Sequence, residues 1–266
     1  MARVRTFLTL LVLSTSAAAH PEIEAALSRL NPLIAATPRD ADLYLERGEL
    51  YARHADWVTA EANFLVAAEL APDHPRLAKL RGALALASGS AAAALEFLDP
   101  ALVRTPRDPE LLVLRARARA ALGRLPAAAA DLRVALTLLP APSPELCLTY
   151  ASLVPPDEAV RSLDAAMARI GPAISLQLEA IGLEEKLGRI DAALARIDAI
   201  AAHSERREVW LKRRGDVLAR AGRASAARAA YAAALAAIAG LPDWLRDSPE
   251  THRLAAELRL LSQPSS

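Results

Sequence analysis

The sequence has a single cysteine, Cys147, so no internal disulfide forms and metal sites built from cysteine pairs are excluded. Aromatic residues make up only 4% of the chain, too few for the stacking platforms that hold single-stranded nucleic acid or carbohydrate. Neither sign of charge dominates: 32 Lys and Arg against 31 Asp and Glu leave a formal charge of +1, without the clustered cations that displace counterions from a nucleic acid. Past the first residues, no apolar stretch reaches the roughly 18 uncharged positions that crossing a bilayer requires. Also missing are H-E-x-x-H, G-x-S-x-G, G-x-G-x-x-G and a phosphate-cradling loop ending in Gly-Lys-Ser/Thr, so no catalytic residue, cofactor or metal site is assigned. His54, His74, His203 and His252 are scattered and read as surface or helix-end residues. Cys147 reads as a small apolar residue inside a helix.

What is present begins at the first residues. Arg3 and Arg5 precede an apolar stretch from Phe7 to Leu13 and a small-residue run ending Ala17-Ala18-Ala19. That order predicts a signal peptide over 1–19, cleaved after Ala19, and a periplasmic or secreted protein with a net charge of −1. The Ala- and Arg-rich composition suggests a bacterial source, and no cysteine follows the apolar core to carry a lipid. Cleavage makes His20 the new N-terminus, whose amine and imidazole form a chelating pair. It resembles the copper site of oxidative polysaccharide-cleaving enzymes, although their second histidine and β-sandwich have no counterpart here.

The body of the chain is periodic. Ala26, Ala60, Ala94 and Ala128 stand 34 residues apart, Ala159 follows after 31, and Ala193 and Ala227 resume the interval of 34. Four residues beyond each lies a large apolar one: Leu30, Phe64, Leu98, Leu132, Leu163, Ile197 and Tyr231. Three further on comes a mostly small one: Leu33, Ala67, Ala101, Ala135, Ala166, Ile200 and Ala234. Those spacings share one helix face and predict a buried stripe. Pro38, Pro72, Pro106 and Pro140 stop the helix in the first four units. A second helix per unit ends at Gly89, Gly123, Gly188, Gly222 or Ala55-Asp56, where a left-handed residue is expected. Within these helices Gly48, Gly82, Ala116 and Gly215 are small enough for close approach.

The unit of Asp40–Asp73, with Tyr44, Gly48, Tyr51, Ala60, Phe64, Ala67 and Pro72, resembles the tetratricopeptide repeat, a two-helix module of about 34 residues. The resemblance covers roughly residues 21–240. It implies an all-α fold, an α-solenoid of stacked antiparallel helical hairpins wound as a right-handed superhelix. The expected organisation is a signal peptide over 1–19, N-terminal repeats with a capping helix over 20–140, C-terminal repeats over 141–240, and a capping helix and tail over 241–266. The boundary at 140 is placed at the fourth unit, which is short and has Leu153-Val154-Pro155-Pro156 where the others turn on glycine. At the ends, residues 21–37 are expected to form a cap that Pro32 bends or breaks, and 249–261 a last helix with the stripe Leu254, Leu258 and Leu261. Trp57, Trp210 and Trp244 are assigned to packing, and Leu241–Arg246 is kept as a candidate contact.

The resemblance also implies that the first helix of each unit lines a groove for an extended peptide or helix. Carried onto this chain, the lining is Leu45, Glu49 and Arg53, then Lys79 and Ala83, then Val113 and Arg117, and finally Lys212, Asp216 and Arg220. The later units are more basic, which suggests an acidic peptide or a free carboxy-terminus as partner. A carboxylate clamp built on asparagines is not expected, because Asn31 and Asn63 lie outside the lining. The expected function is a scaffold or adaptor of the bacterial envelope without enzymatic activity. The alternatives are a copper protein centred on His20 and a structural accessory subunit of an envelope assembly. Copper titration of the processed chain beside His20→Ala decides the first alternative: equal affinities exclude it, and loss of tight binding in the variant supports it.

Overall fold

Apolar periods alternating with proline and glycine stops give fifteen helices and, among residues 21–263, which the computed structural model describes, no strand. The expected signal segment and His20 lie outside the described residues. The chain divides into two compact units between Pro106 and Arg107. In the first, α1 (Pro21–Ala36) packs against α2 (Ala41–Arg53), which pairs with α3 (Trp57–Leu70), and α4 (Leu77–Ala87) pairs with α5 (Ala91–Arg104). In the second, the hairpins are α6 (Pro109–Ala121) with α7 (Leu125–Leu138), α8 (Pro144–Leu153) with α9 (Pro156–Ile170), α10 (Ile174–Lys186) with α11 (Ile190–Ala202), and α12 (Arg207–Arg220) with α13 (Ala224–Ala239). A single turn, α14 (Asp243–Arg246), leads to α15 (Pro249–Leu261), which covers α13. Position 140 falls inside the second unit, where α7 and α8 touch.

The hairpin turns share one geometry. Gly89, Gly123, Gly188 and Gly222 all have positive φ, and Ala55 takes the same conformation at φ 59°. In each case the next residue's amide reaches back five positions, as in Asp56 N to Tyr51 O and Arg124 N to Arg119 O, closing the helix end with a Schellman-type bond. The turns between hairpins use different chemistry. Thr-Pro-Arg-Asp occurs at both 37–40 and 105–108, and its aspartate caps the following helix. Asp40 accepts from the Asp42 amide, and Asp108 from the amides of Glu110 and Leu111.

The predicted stripe is buried in every complete unit at its large position, from Phe64 to Tyr231. The first-helix glycines lie directly under it. A Cβ on Gly48 would come within 2.4 Å of Phe64 Cε1, on Gly82 within 2.7 Å of Leu98 Cδ2, and on Gly215 within 2.3 Å of Tyr231 Cε1. Counting twelve residues back from Ala159 and Ala193 puts Cys147 and Ile181 in the same position, and both are fully buried. Cys147 is thus the fourth unit's small residue, and burial pushes its thiol pKa up.

The fourth unit loses its three residues ahead of Cys147. Ala128 to Cys147 spans 19 positions, against 22 from Ala94 to Ala116, and α8 has 10 residues where α6 has 13. About one turn is therefore missing from the start of α8.

The ends differ from expectation in four places. Leu33 is 52% exposed and Ile34 takes its buried place, because α1 has only α2 to pack on and uses the Leu30–Ile34 row. Pro32 does not break α1: it lies on the exposed side, where water can reach the freed carbonyl, as does Pro100 in α5. In α15 the buried face is Thr251, Ala255 and Leu258, whereas Leu261 is 37% exposed at the final turn. Trp57 and Trp210 pack on the cores as expected, but Trp244 is 77% exposed on α14 and seals nothing.

Arginines join neighbouring repeats. Arg76 reaches Asp42 and Glu49, Arg189 reaches Asp157, Arg196 reaches Asp164 and Glu184, and Arg223 reaches Asp191, mostly about one repeat away in sequence. The Arg223 hydrogen bond holds the Asp191 carboxyl below the usual carboxylate range. This pair therefore favours the fold above the ordinary aspartate pKa, and its contribution fades as pH falls through the lowered value.

Two substitutions test the turn chemistry through urea unfolding. Ala55→Gly removes a left-handed alanine and is expected to raise stability by about 0.5–1 kcal/mol. Asp108→Ala removes a two-amide cap and is expected to lower it by about 1 kcal/mol.

Candidate partner-binding groove

Because Gly48, Gly82, Ala116, Cys147, Ile181 and Gly215 face the second helix of each hairpin, the residues at −3, +1 and +5 from them form a neighbouring stripe along the first helices. The structure treats the predicted members of that stripe differently. In the first unit, Leu45 does not line a groove. It is fully buried with Phe64 and Leu77, because α4 closes over it. Glu49 accepts from Arg76 Nη2 at 2.9 Å, Arg53 is exposed at the last turn of α2, and Lys79 and Ala83 are half-buried on α4.

In the second unit, three predicted charges are engaged within the chain. Lys212 Nζ lies 3.1 Å from Asp216 and 3.0 Å from Glu257 of α15. Asp216 also accepts from the Tyr231 hydroxyl at 3.1 Å. Arg220 forms a two-pronged pair with Glu185, its shortest contact 2.8 Å. The basic tilt expected from counting charges is thereby offset near α12. Arg117 is different: it is exposed on α6, with no hydrogen bond or ion pair among the described residues.

Continuing the stripe from Cys147 and Ile181 adds Pro144, Leu148 and Ser152, then Leu178, Gly182 and Lys186, which the sequence reading missed because it looked for glycine as the anchor. Leu148, Leu178 and Gly182 are half-buried, with open space above Gly182, whereas Pro144, Ser152 and Lys186 are exposed. The stripe therefore has a low apolar centre, with the exposed Lys186 at its edge. Beside it, α6 and α8 enclose a hollow of about 170 Å³, with Val113, Ala120, Leu146 and Leu153 among its walls and Arg117, Glu145 and Thr149 as polar lining. Its lining runs along α8 from Glu145 to Leu153.

Cys147 is buried, and among the described residues no three His, Cys, Asp or Glu side chains are grouped to hold a metal ion. No described helix is long and apolar enough to cross a membrane.

The family model described as a tetratricopeptide repeat-like domain matches residues 159–244. No curated protein sequence matches. Among solved structures, PilW, titled a widely conserved type IV pilus biogenesis factor, aligns over 68% of this chain and 86% of its own at 18% identity and TM-score 0.56. Pseudomonas aeruginosa PilF aligns over 83% and 100% at 19% identity and TM-score 0.54. A tetratricopeptide repeat protein of Parabacteroides merdae aligns over 91% and 92% at 18% identity and TM-score 0.51. The repeat-like domain matched over 159–244, together with the hairpin fold shared with these solved structures, shows a tetratricopeptide-repeat-type fold.

Proposed function

We propose that the second unit holds a partner polypeptide along its first-helix stripe, in the envelope of a bacterium. The observation that carries this reading is the hollow between α6 and α8 beside the unpaired Arg117. A bound segment would set an apolar side chain among Val113, Ala120, Leu146 and Leu153 and turn an acidic residue to Arg117. It would then run over Leu148, Leu178 and Gly182, where the low profile admits a backbone. The engaged charges of Lys212, Asp216 and Arg220 would shape the end of the groove, with Glu49, Arg53 and Lys79 doing the same in the first unit. Export rests on the basic, apolar and small-residue order of residues 1–19, and an envelope role is in keeping with the likeness to the pilus biogenesis factor PilW. The proposed role is a scaffold rather than an enzyme.

A photo-crosslinking residue at Thr149, used in intact cells, tests the groove against the same residue at the exposed Val58 on α3. The expected result is a discrete adduct from position 149 that disappears with Arg117→Glu and is absent from position 58. Equal trapping from both positions, or trapping unaffected by Arg117→Glu, would count against the groove.

A further inference from the structure

The second unit has another hollow, on the other side of the same irregular repeat. It lies between the second helices α7 and α9, encloses about 310 Å³, and is lined by Arg133, Arg161 and Arg169 with Tyr150 and Glu158. Its floor is apolar: Leu136 and Ala166 are buried, and Pro142 lies at its edge in the loop before the shortened α8.

Its lining holds three guanidinium groups and one carboxylate. Arg133 Nε donates to the Tyr150 hydroxyl at 3.0 Å, and the same guanidinium lies 3.0 Å from Glu158, whose carboxylate also accepts from Tyr150. The Tyr150 hydrogen bond, with Arg133 beside it, holds the Glu158 carboxyl below its ordinary range. Arg169 is fixed differently, donating to Leu136 O at 2.7 Å and to Leu139 O at the end of α7, with no acid partner. Arg161, exposed on α9, has no hydrogen bond or ion pair among the described residues and only the field of the already engaged Glu158. Two arginines thus remain uncompensated around a hollow with an apolar floor, and one of them is already held rigid.

We propose that this hollow is a docking site for an acidic segment of a partner protein, an Asp or Glu next to an aliphatic residue. Positive charge without an internal counterpart calls for a carboxylate, which a guanidinium binds in a fixed two-pronged geometry. The apolar floor and the size of the hollow call for more than a bare ion. A polypeptide supplies both parts at adjacent residues. The site lies mainly on the second helices α7 and α9, with Tyr150 of α8 in its lining, and shares no lining residue with the hollow beside Arg117, so one chain could hold two partner segments at once.

The test uses the full chain and two capped peptides, acetyl-Leu-Asp-Glu-Leu-amide and its neutral form acetyl-Leu-Asn-Gln-Leu-amide. Binding is followed by the NMR signals of the arginine Nε–H groups. The acidic peptide is expected to shift the Arg161 and Arg169 signals to saturation. Its affinity should fall at least about fivefold with Arg161→Gln, and the shifts should weaken as salt is added. Arg161 is exposed and unbonded, so this variant is expected to keep the parent melting temperature; Arg117→Gln should leave the binding unchanged. The site is refuted if the acidic peptide does not bind, if the neutral peptide binds equally, or if Arg161→Gln has no effect. Loss of binding with Arg117→Gln alone would place the peptide in the first-helix groove instead, and equal shifts with inorganic phosphate would reduce the site to an ion contact.

Discussion

Two helices approach most closely where one of them gives up its side chain, and this fold makes that contact in the hairpins anchored on Gly48, Gly82 and Gly215. A large apolar residue of the second helix lies on a glycine of the first: Phe64 on Gly48, Leu98 on Gly82, Tyr231 on Gly215. Each glycine forgoes roughly 1 kcal/mol of helix propensity relative to alanine. Burying a whole Phe, Leu or Tyr side chain in the space returns more, on the order of 1.5–3 kcal/mol. The geometry of everything else follows. It orients the first helix, decides which of its residues face the partner helix, and thereby assigns the −3, +1 and +5 positions to the groove stripe. The turns reinforce it, because a left-handed residue followed by a five-residue backward bond makes successive hairpins alike.

The same constraint bears on the fourth unit, beside which both proposed binding hollows lie. Cys147 still fills the small position beneath Leu163, so the hairpin survives, but the three residues lost ahead of it leave α8 about one turn short. Hollows appear on both sides of that irregularity, one between α6 and α8 beside Arg117 and the other between α7 and α9 beside Arg161. Elsewhere the charges are used internally. Arg196 sits between Asp164 and Glu184, and Arg220 is committed to Glu185. A stack whose arginines mostly clamp adjacent repeats leaves few cations for a ligand, which gives the free ones their weight.

Much of the architecture was legible in residue spacing, because a repeat presents the same physical problem several times and solves it with the same residue types. The buried stripe, the turn glycines and the interhelical glycines are all local or nearly local features. The misreadings share a cause: they depend on neighbours that spacing does not reveal. Leu33 is exposed because its helix is terminal and packs on one side only, and Leu45 is buried because α4 covers it. Lys212 looked available until α15 brought Glu257 to it from 45 residues away. The short fourth repeat was visible as a missing interval. That the loss falls at the start of α8 follows from Cys147 holding the small position, which a search for glycine passes over.

The most direct measurement compares two glycines in helices of the same unit. Gly215 lies under the Tyr231 ring, which its hydroxyl bond to Asp216 keeps from swinging aside, whereas a Cβ on Gly182 would meet nothing within 4 Å. Unfolding free energies in urea are therefore expected to move in opposite directions. Gly215→Ala should destabilise by about 1–3 kcal/mol through overpacking, and Gly182→Ala should stabilise by up to about 1 kcal/mol through helix propensity. If both substitutions stabilise the protein, close helix approach at the small residue is not what sets this fold.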